Sequence, residues 1–175
     1  MKKIFALVAF AAATMTASAQ VYVGGSLGLW RDWDKNVTQL EIAPEVGYNL
    51  SDKWDLGTEV GFAHTYNDGL KMNGFTIAPY ARWTFAKFDR VNLFLQPTAQ
   101  WGMAKVVDGG DAQNFWAVGV KPGLSVELTD KLNFVAHVGF LGYRDSDDGI
   151  NVWSSKGAGF KLDGNALQFG INYNF

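Results

Sequence analysis

The residues LQFGINYNF close the chain, and they alternate without a break. Leu167, Phe169, Ile171, Tyr173 and Phe175 share one face, while Gln168, Gly170, Asn172 and Asn174 share the other. A period of two puts successive side chains on opposite faces of a strand, so this segment has one wholly apolar face and one polar face. An apolar strand left unpaired at a sheet edge invites aggregation. The arrangement that removes the edge is a closed barrel, in which the last strand pairs with the first.

The same alternation recurs upstream in Val21–Leu29, Leu40–Leu50, Trp54–Phe62, Phe75–Phe85, Val91–Met103, Trp116–Leu128 and Leu132–Phe140. With the terminal segment this predicts eight strands, most about 9–11 residues long or slightly longer, the length a tilted strand needs to cross a bilayer. The connections alternate in length. Ser51-Asp52-Lys53, Ala86 to Arg90 and Thr129-Asp130-Lys131 read as tight turns, whereas Arg31 to Val37, Thr65 to Met72, Val106 to Gln113 and Asp145 to Asp163 read as longer loops. Pro44, Pro79, Pro97 and Pro122 fall inside the segments, where each removes a ladder donor. The alternation runs through Pro44 in phase, so no bulge is expected there. Pro44, Pro79 and Pro122 each precede a tight turn at the same spacing, which we read as shared hairpin geometry rather than a functional repeat.

The first residues carry a targeting pattern. Lys2 and Lys3 precede an apolar run from Ile4 to Ala13, and Ala17-Ser18-Ala19 is a small-x-small cleavage site. This reads as a cleaved signal peptide over residues 1–19, leaving one domain over 20–175. There is no cysteine, hence no disulfide framework. Losing Lys2 and Lys3 makes the exported chain more acidic than the −2 of the whole. No basic patch points to nucleic acid, and no apolar stretch beyond residue 19 reaches the ~18 residues of a membrane-spanning helix.

The polar face decides whether the apolar face points inward, as in a soluble lipid carrier, or outward into lipid. It holds Gly24, Gly28, Ala43, Gly47, Gly57, Gly61, Ala78, Gly102, Gly119, Gly123 and Gly139 among others. Small residues suit the crowded inside of a narrow barrel, not a surface in water. The apolar face carries no charge across its middle, and its aromatics fall into two belts. Tyr48, Trp54, Trp83, Phe85, Tyr173 and Phe175 lie near the tight turns. Phe62, Phe75, Trp101, Trp116 and Phe140 lie near the longer loops. Aromatic girdles at both ends of one face mark the two membrane interfaces. The expected fold is all-β, an eight-stranded antiparallel up-and-down transmembrane barrel.

From Val21 to Phe175 the chain resembles the small eight-stranded outer-membrane barrels of the OmpA-domain and OmpX kind, and its terminal Phe175 resembles the aromatic signal by which such barrels are recognised for assembly. The resemblance implies a monomer in a bacterial outer membrane with both termini periplasmic. The implied partners are outer-membrane lipid and lipopolysaccharide, and the assembly machinery through Phe175. It does not fix a function. The inward face carries Glu41, Glu45, Asp55, Glu59, Arg82, Lys121 and Glu127. Pairing Leu50 with Trp54 would set Glu45 opposite Glu59, which needs a nearby cation. A Glu45–Glu59–Lys121 network, joined by Arg82, is therefore expected to bridge the lumen, comparable to the charged plug of OmpA-type barrels.

No catalytic residue, metal site or cofactor is expected. His137 reads as a lumen residue. Some lipid A-modifying barrels use an exposed His beside a Ser, but His64 is followed by Thr65 and Tyr66. Asp145-Ser146-Asp147-Asp148-Gly149 departs from a calcium loop, with its glycine one position early and Lys156 at the twelfth position. Asp108-Gly109-Gly110-Asp111 reads as a hairpin turn. Arg31, Trp33, Tyr66 and Trp153 are the candidate surface contacts. The reading is a non-enzymatic structural or surface-interaction protein, with a small gated channel and a lipid A-modifying enzyme as alternatives.

Overall fold

The computed structural model describes residues 20–32, 36–107, 109, 111–146, 156–162 and 168–175. The expected signal peptide lies outside the described residues, as do Trp33, Asp108, Gly110, Asp147 to Gly149, Trp153 and Leu167. The strands are β1 (Val21–Asp32), β2 (Val37–Ser51), β3 (Trp54–Asn67), β4 (Leu70–Phe88), β5 (Val91–Val106), β6 (Gln113–Glu127), β7 (Leu132–His137), β8 (Gly139–Ser146), β9 (Gly157–Leu162) and β10 (Gln168–Asn174). β7 and β8 are two parts of one stave, and β9 and β10 belong to the last, so the fold is a closed eight-stranded antiparallel barrel. The terminal strand closes it: Tyr22 pairs with Asn174 and Ser26 with Gly170, and Phe175 N–H donates to Val21 O at 3.1 Å.

The alternation maps onto the two faces. Leu40, Ile42, Leu50, Trp54, Leu56, Phe62, Phe85, Trp101, Val118, Phe169 and Ile171 are exposed outside, while Ala43, Ala78, Ala104, Ala117 and Val135 are buried inside. Large apolar side chains outside and small ones inside invert the usual soluble arrangement and match a wall that faces lipid. The outer aromatics stack along the wall at the tight-turn end: Trp54 on Trp83 at 6.2 Å, Trp83 on Phe85 at 6.0 Å, Tyr173 on Phe175 at 5.2 Å. Tyr48 is outward at the same end, and Trp101 pairs with Trp116 toward the other.

Two local expectations are corrected. Phe140 turns inward, not outward. The β6–β7 register pairs Gly123 with His137, whereas the β6–β8 register pairs Val120 with Leu141, so one extra residue is taken up around Val138. Val138 N–H donates to Pro122 O at 3.0 Å. Such a bulge reverses the facing of every later residue in its strand. The connection after β3 is not a long loop either. Asn67 pairs with Leu70 across Asp68-Gly69, whose φ values of 43° and 94° are the left-handed pair of a two-residue hairpin.

The prolines also find an explanation. All lie on the outer face, and each keeps a paired neighbour on one side. On the other side the ladder lapses: β2–β3 pairing stops at Ile42–Phe62 and resumes at Glu45–Glu59, in phase. Likewise β4–β5 pairing lapses between Ile77–Trp101 and Tyr80–Thr98, beside Pro79 and Pro97. At Pro44, Pro79 and Pro97 a missing N–H thus costs single ladder bonds without shifting the register, whereas the one-residue bulge at Val138 lies beside Pro122.

Candidate functional site

The inner face is where charge and packing converge. Its aromatics sit on the glycines of neighbouring strands. A Cβ at Gly47 would strike the Tyr22 ring, one at Gly57 the Tyr80 hydroxyl, one at Gly123 the Phe94 ring, one at Gly102 the Phe115 ring, and one at Gly119 the Phe140 ring. The small residues of the polar face therefore make room for inward aromatics from adjacent strands. This pairing of aromatic with glycine is the device that fills a narrow barrel.

At mid-height these rings enclose a cation. Arg82 on β4 is 5% exposed. Its guanidinium carbon lies 4.7 Å from the Phe94 ring centre, 5.2 Å from Tyr80 and 5.9 Å from Tyr22. Its Nε donates to Gln96 Oε1 at 3.0 Å, and Nη2 lies 3.6 Å from Glu45 Oε1. Glu45 also accepts from Asn172 Nδ2 at 2.5 Å. His137 Nε2 meets the same Gln96 oxygen at 3.1 Å, and the Tyr22 and Tyr80 hydroxyls meet at 2.6 Å. The knot thus ties β1, β2, β4, β5, β7 and β10 across the lumen. Phe94 packs edge-on against His137, closing the remaining gap at 5.4 Å between ring centres.

Glu45 does stand opposite Glu59, although a slip between Asn49 and Ser51 makes Ser51 rather than Leu50 the partner of Trp54. The cation that joins Glu45 is Arg82, and Lys121 pairs with neither glutamate. Lys121 points inward opposite Gln96, within electrostatic reach of Glu41 and His137. Glu127 lies apart, at the tight-turn end, accepting from Asn92 Nδ2 at 3.0 Å. Three residues of the knot, Tyr22, Tyr80 and Phe94, are aromatics that a reading of the inner face as small and polar overlooks. The signal was their in-phase placement beside glycines.

Below the knot, toward the tight turns, a cavity of about 460 Å³ is roofed by Tyr22, Arg82 and Asn172 and lined by Asp55, Lys87 and Glu127. Beside the knot, between Glu45, Glu59, His137 and Asn172, only about 10 Å³ remains. One water needs roughly that much space, so no hydrated ion fits.

The other candidates separate. His64 lies exposed on the outer face with Nδ1 2.7 Å from Asn73 Oδ1, while Thr65 is buried on the opposite face. Arg31 donates to Thr38 Oγ1 and Asn36 Oδ1, both at 2.7 Å. Asp145 pairs with Lys156 at 3.2 Å. Among the described residues no cluster could hold a metal.

A family profile described as outer membrane protein beta-barrel domain matches residues 4–175. No curated protein matches the chain in sequence. Among solved structures, the N-terminal β-barrel domain of Pseudomonas aeruginosa OprF is similar at 15% identity and a TM-score of 0.56, over 90% of this chain and 98% of that one. Neisserial surface protein A is similar at 20% identity and a TM-score of 0.53, over the same shares of 90% and 98%. At these identities the likeness concerns the fold.

Proposed function

Since the chain belongs to the outer membrane protein beta-barrel domain family, we propose that it serves as a monomeric, non-enzymatic barrel that presents its rim and loops at the cell surface and keeps its interior shut. In this reading the tight-turn end, with Gln20 and Phe175, faces the periplasm, because such barrels put short turns inside and longer loops outside. Phe175 is then the residue offered to the assembly machinery, and the outer wall meets outer-membrane lipid and lipopolysaccharide.

The buried knot around Arg82 carries the reading. Its members come from staves on opposite sides of the lumen, and Tyr22, Phe94 and Gln96 are among the most deeply buried side chains. An open pore would instead keep its charged wall in water. His64 lacks an adjacent hydroxyl on its own strand face other than Tyr66, which favours leaving catalysis out. The test is conductance of the purified, refolded protein in planar bilayers. The expected record is free of sustained unitary steps. Long-lived steps of constant size would favour the channel reading, with the 460 Å³ cavity as its periplasmic mouth.

A further inference from the structure

We infer that the outward rim of β3–β5 at the loop end is a binding site for the phosphate of an outer-leaflet glycolipid. The inference rests on the orientation proposed above. Along the outward face of β1–β5 the charged residues are Arg31, Lys71 and Lys105. All are cationic, and all sit at the loop end. The rest of that face is apolar or uncharged down to the tight turns.

The register gathers them into two tiers. Leu40, His64, Asn73 and Lys105 stand side by side on β2, β3, β4 and β5. Thr38, Tyr66 and Lys71 form the tier above. Lys71 lies two residues along β4 from the partner of Lys105, a diagonal of roughly 7–8 Å between Cα positions. Two flexible ammonium groups at that spacing converge readily on one phosphate. His64, Asn73, Lys71 and Lys105 are exposed. Asn73 Oδ1 accepts from His64 Nδ1–H, which leaves Asn73 Nδ2 as a donor beside the lysines. The nearby acid Asp68 is turned to Asn36 Nδ2, at 3.4 Å.

The layer beneath supplies the second half of the site. Ile42, Phe62, Phe75 and Met103 form the next tier down, with Phe62 edge-on to Phe75 at 5.3 Å. Cationic and amide groups directly above an apolar wall match an anionic headgroup carrying acyl chains. A soluble anion would have no use for the wall below.

The test uses the folded protein in detergent micelles, titrated with bisphosphorylated lipid A, with the same lipid A after phosphatase treatment, and with inorganic phosphate. Bound lipid is counted by native mass spectrometry. Bisphosphorylated lipid A should bind saturably. The Lys71→Gln/Lys105→Gln variant should bind about thirtyfold more weakly, the loss expected of two interfacial lysines. Lys71→Arg/Lys105→Arg should retain binding, and Lys53→Gln/Lys131→Gln, at the opposite rim, should match the unaltered protein. Equal binding of the dephosphorylated lipid, or an undiminished Lys71→Gln/Lys105→Gln variant, overturns the inference. Inorganic phosphate competing at equal affinity would make it a free-anion site and overturn the lipid assignment. A heat-dependent gel shift of each variant confirms the barrel first, so loss of the fold and loss of the site read differently.

Discussion

Arg82→Met is expected to lower the unfolding free energy of the lipid-embedded barrel by about 3–5 kcal/mol, the usual cost of leaving one partner of a buried ion pair behind. The reason lies in what remains. Glu45 would keep only Asn172 at 2.5 Å, while still standing opposite Glu59. Gln96 would lose the donor at 3.0 Å, and the Tyr22, Tyr80 and Phe94 rings would lose the cation they surround. Arg82→Lys keeps the charge but not the planar fork, so an intermediate loss is expected. The double change Arg82→Met/Glu45→Gln removes both charges and should recover most of the stability, because an uncharged pair of similar volume replaces an ion pair at little net cost. Urea titration of the protein folded in vesicles, read by gel mobility, distinguishes these outcomes. A variant Arg82→Met as stable as the unaltered protein would show that the ion pair does not organise the interior.

The second large effect tests the outer wall. Val60 lies mid-way along β3 on the outward face, between the Leu56 and Phe62 positions. Val60→Arg is expected to cost about 2–4 kcal/mol, the depth-dependent penalty for a lipid-facing cation at the bilayer midplane. Leu40→Arg, at the rim beside His64, should cost about 0–1 kcal/mol. The contrast matters more than either value. A barrel of the same facing that stood in water would tolerate arginine equally at both positions, since both would then face solvent. Equal, small losses at Val60 and Leu40 in the same urea titration would therefore contradict a lipid-facing wall.

Strand identity and facing were readable because a period of two is a strict signal, and one buried or lipid-facing side exposes any slip. That is why Leu40, Ile42, Pro44, Val46 and Tyr48 point outward as expected, and why Glu45 meets Glu59 even though the turn beyond them slips. Phe140 was misplaced because a bulge leaves no mark on alternation. Leu132 to Phe140 scan as one continuous strand, and the change of phase shows only in the pairing with β6 and in the bond from Val138 N–H to Pro122 O. The Asp68-Gly69 turn was legible in principle, but polarity spread the expected loop over Thr65 to Met72 and hid a two-residue turn inside it.

The interior partners were harder to read than the faces. Depth along a strand names which residues share a level, yet strand tilt and side-chain reach choose among them. Arg82 reaches Glu45 from among the Tyr22, Tyr80 and Phe94 rings that surround its guanidinium, and those rings lie there because Gly47, Gly57 and Gly123 leave them room. Lys121, opposite Gln96, instead acts on Glu41 and His137.

A closed barrel whose apolar wall lies in the membrane is tested most directly by outer-membrane fractions run unboiled and boiled on a detergent gel. A membrane-embedded band that migrates differently before and after boiling is the predicted result. A single unshifted band recovered in the soluble periplasmic fraction would contradict it.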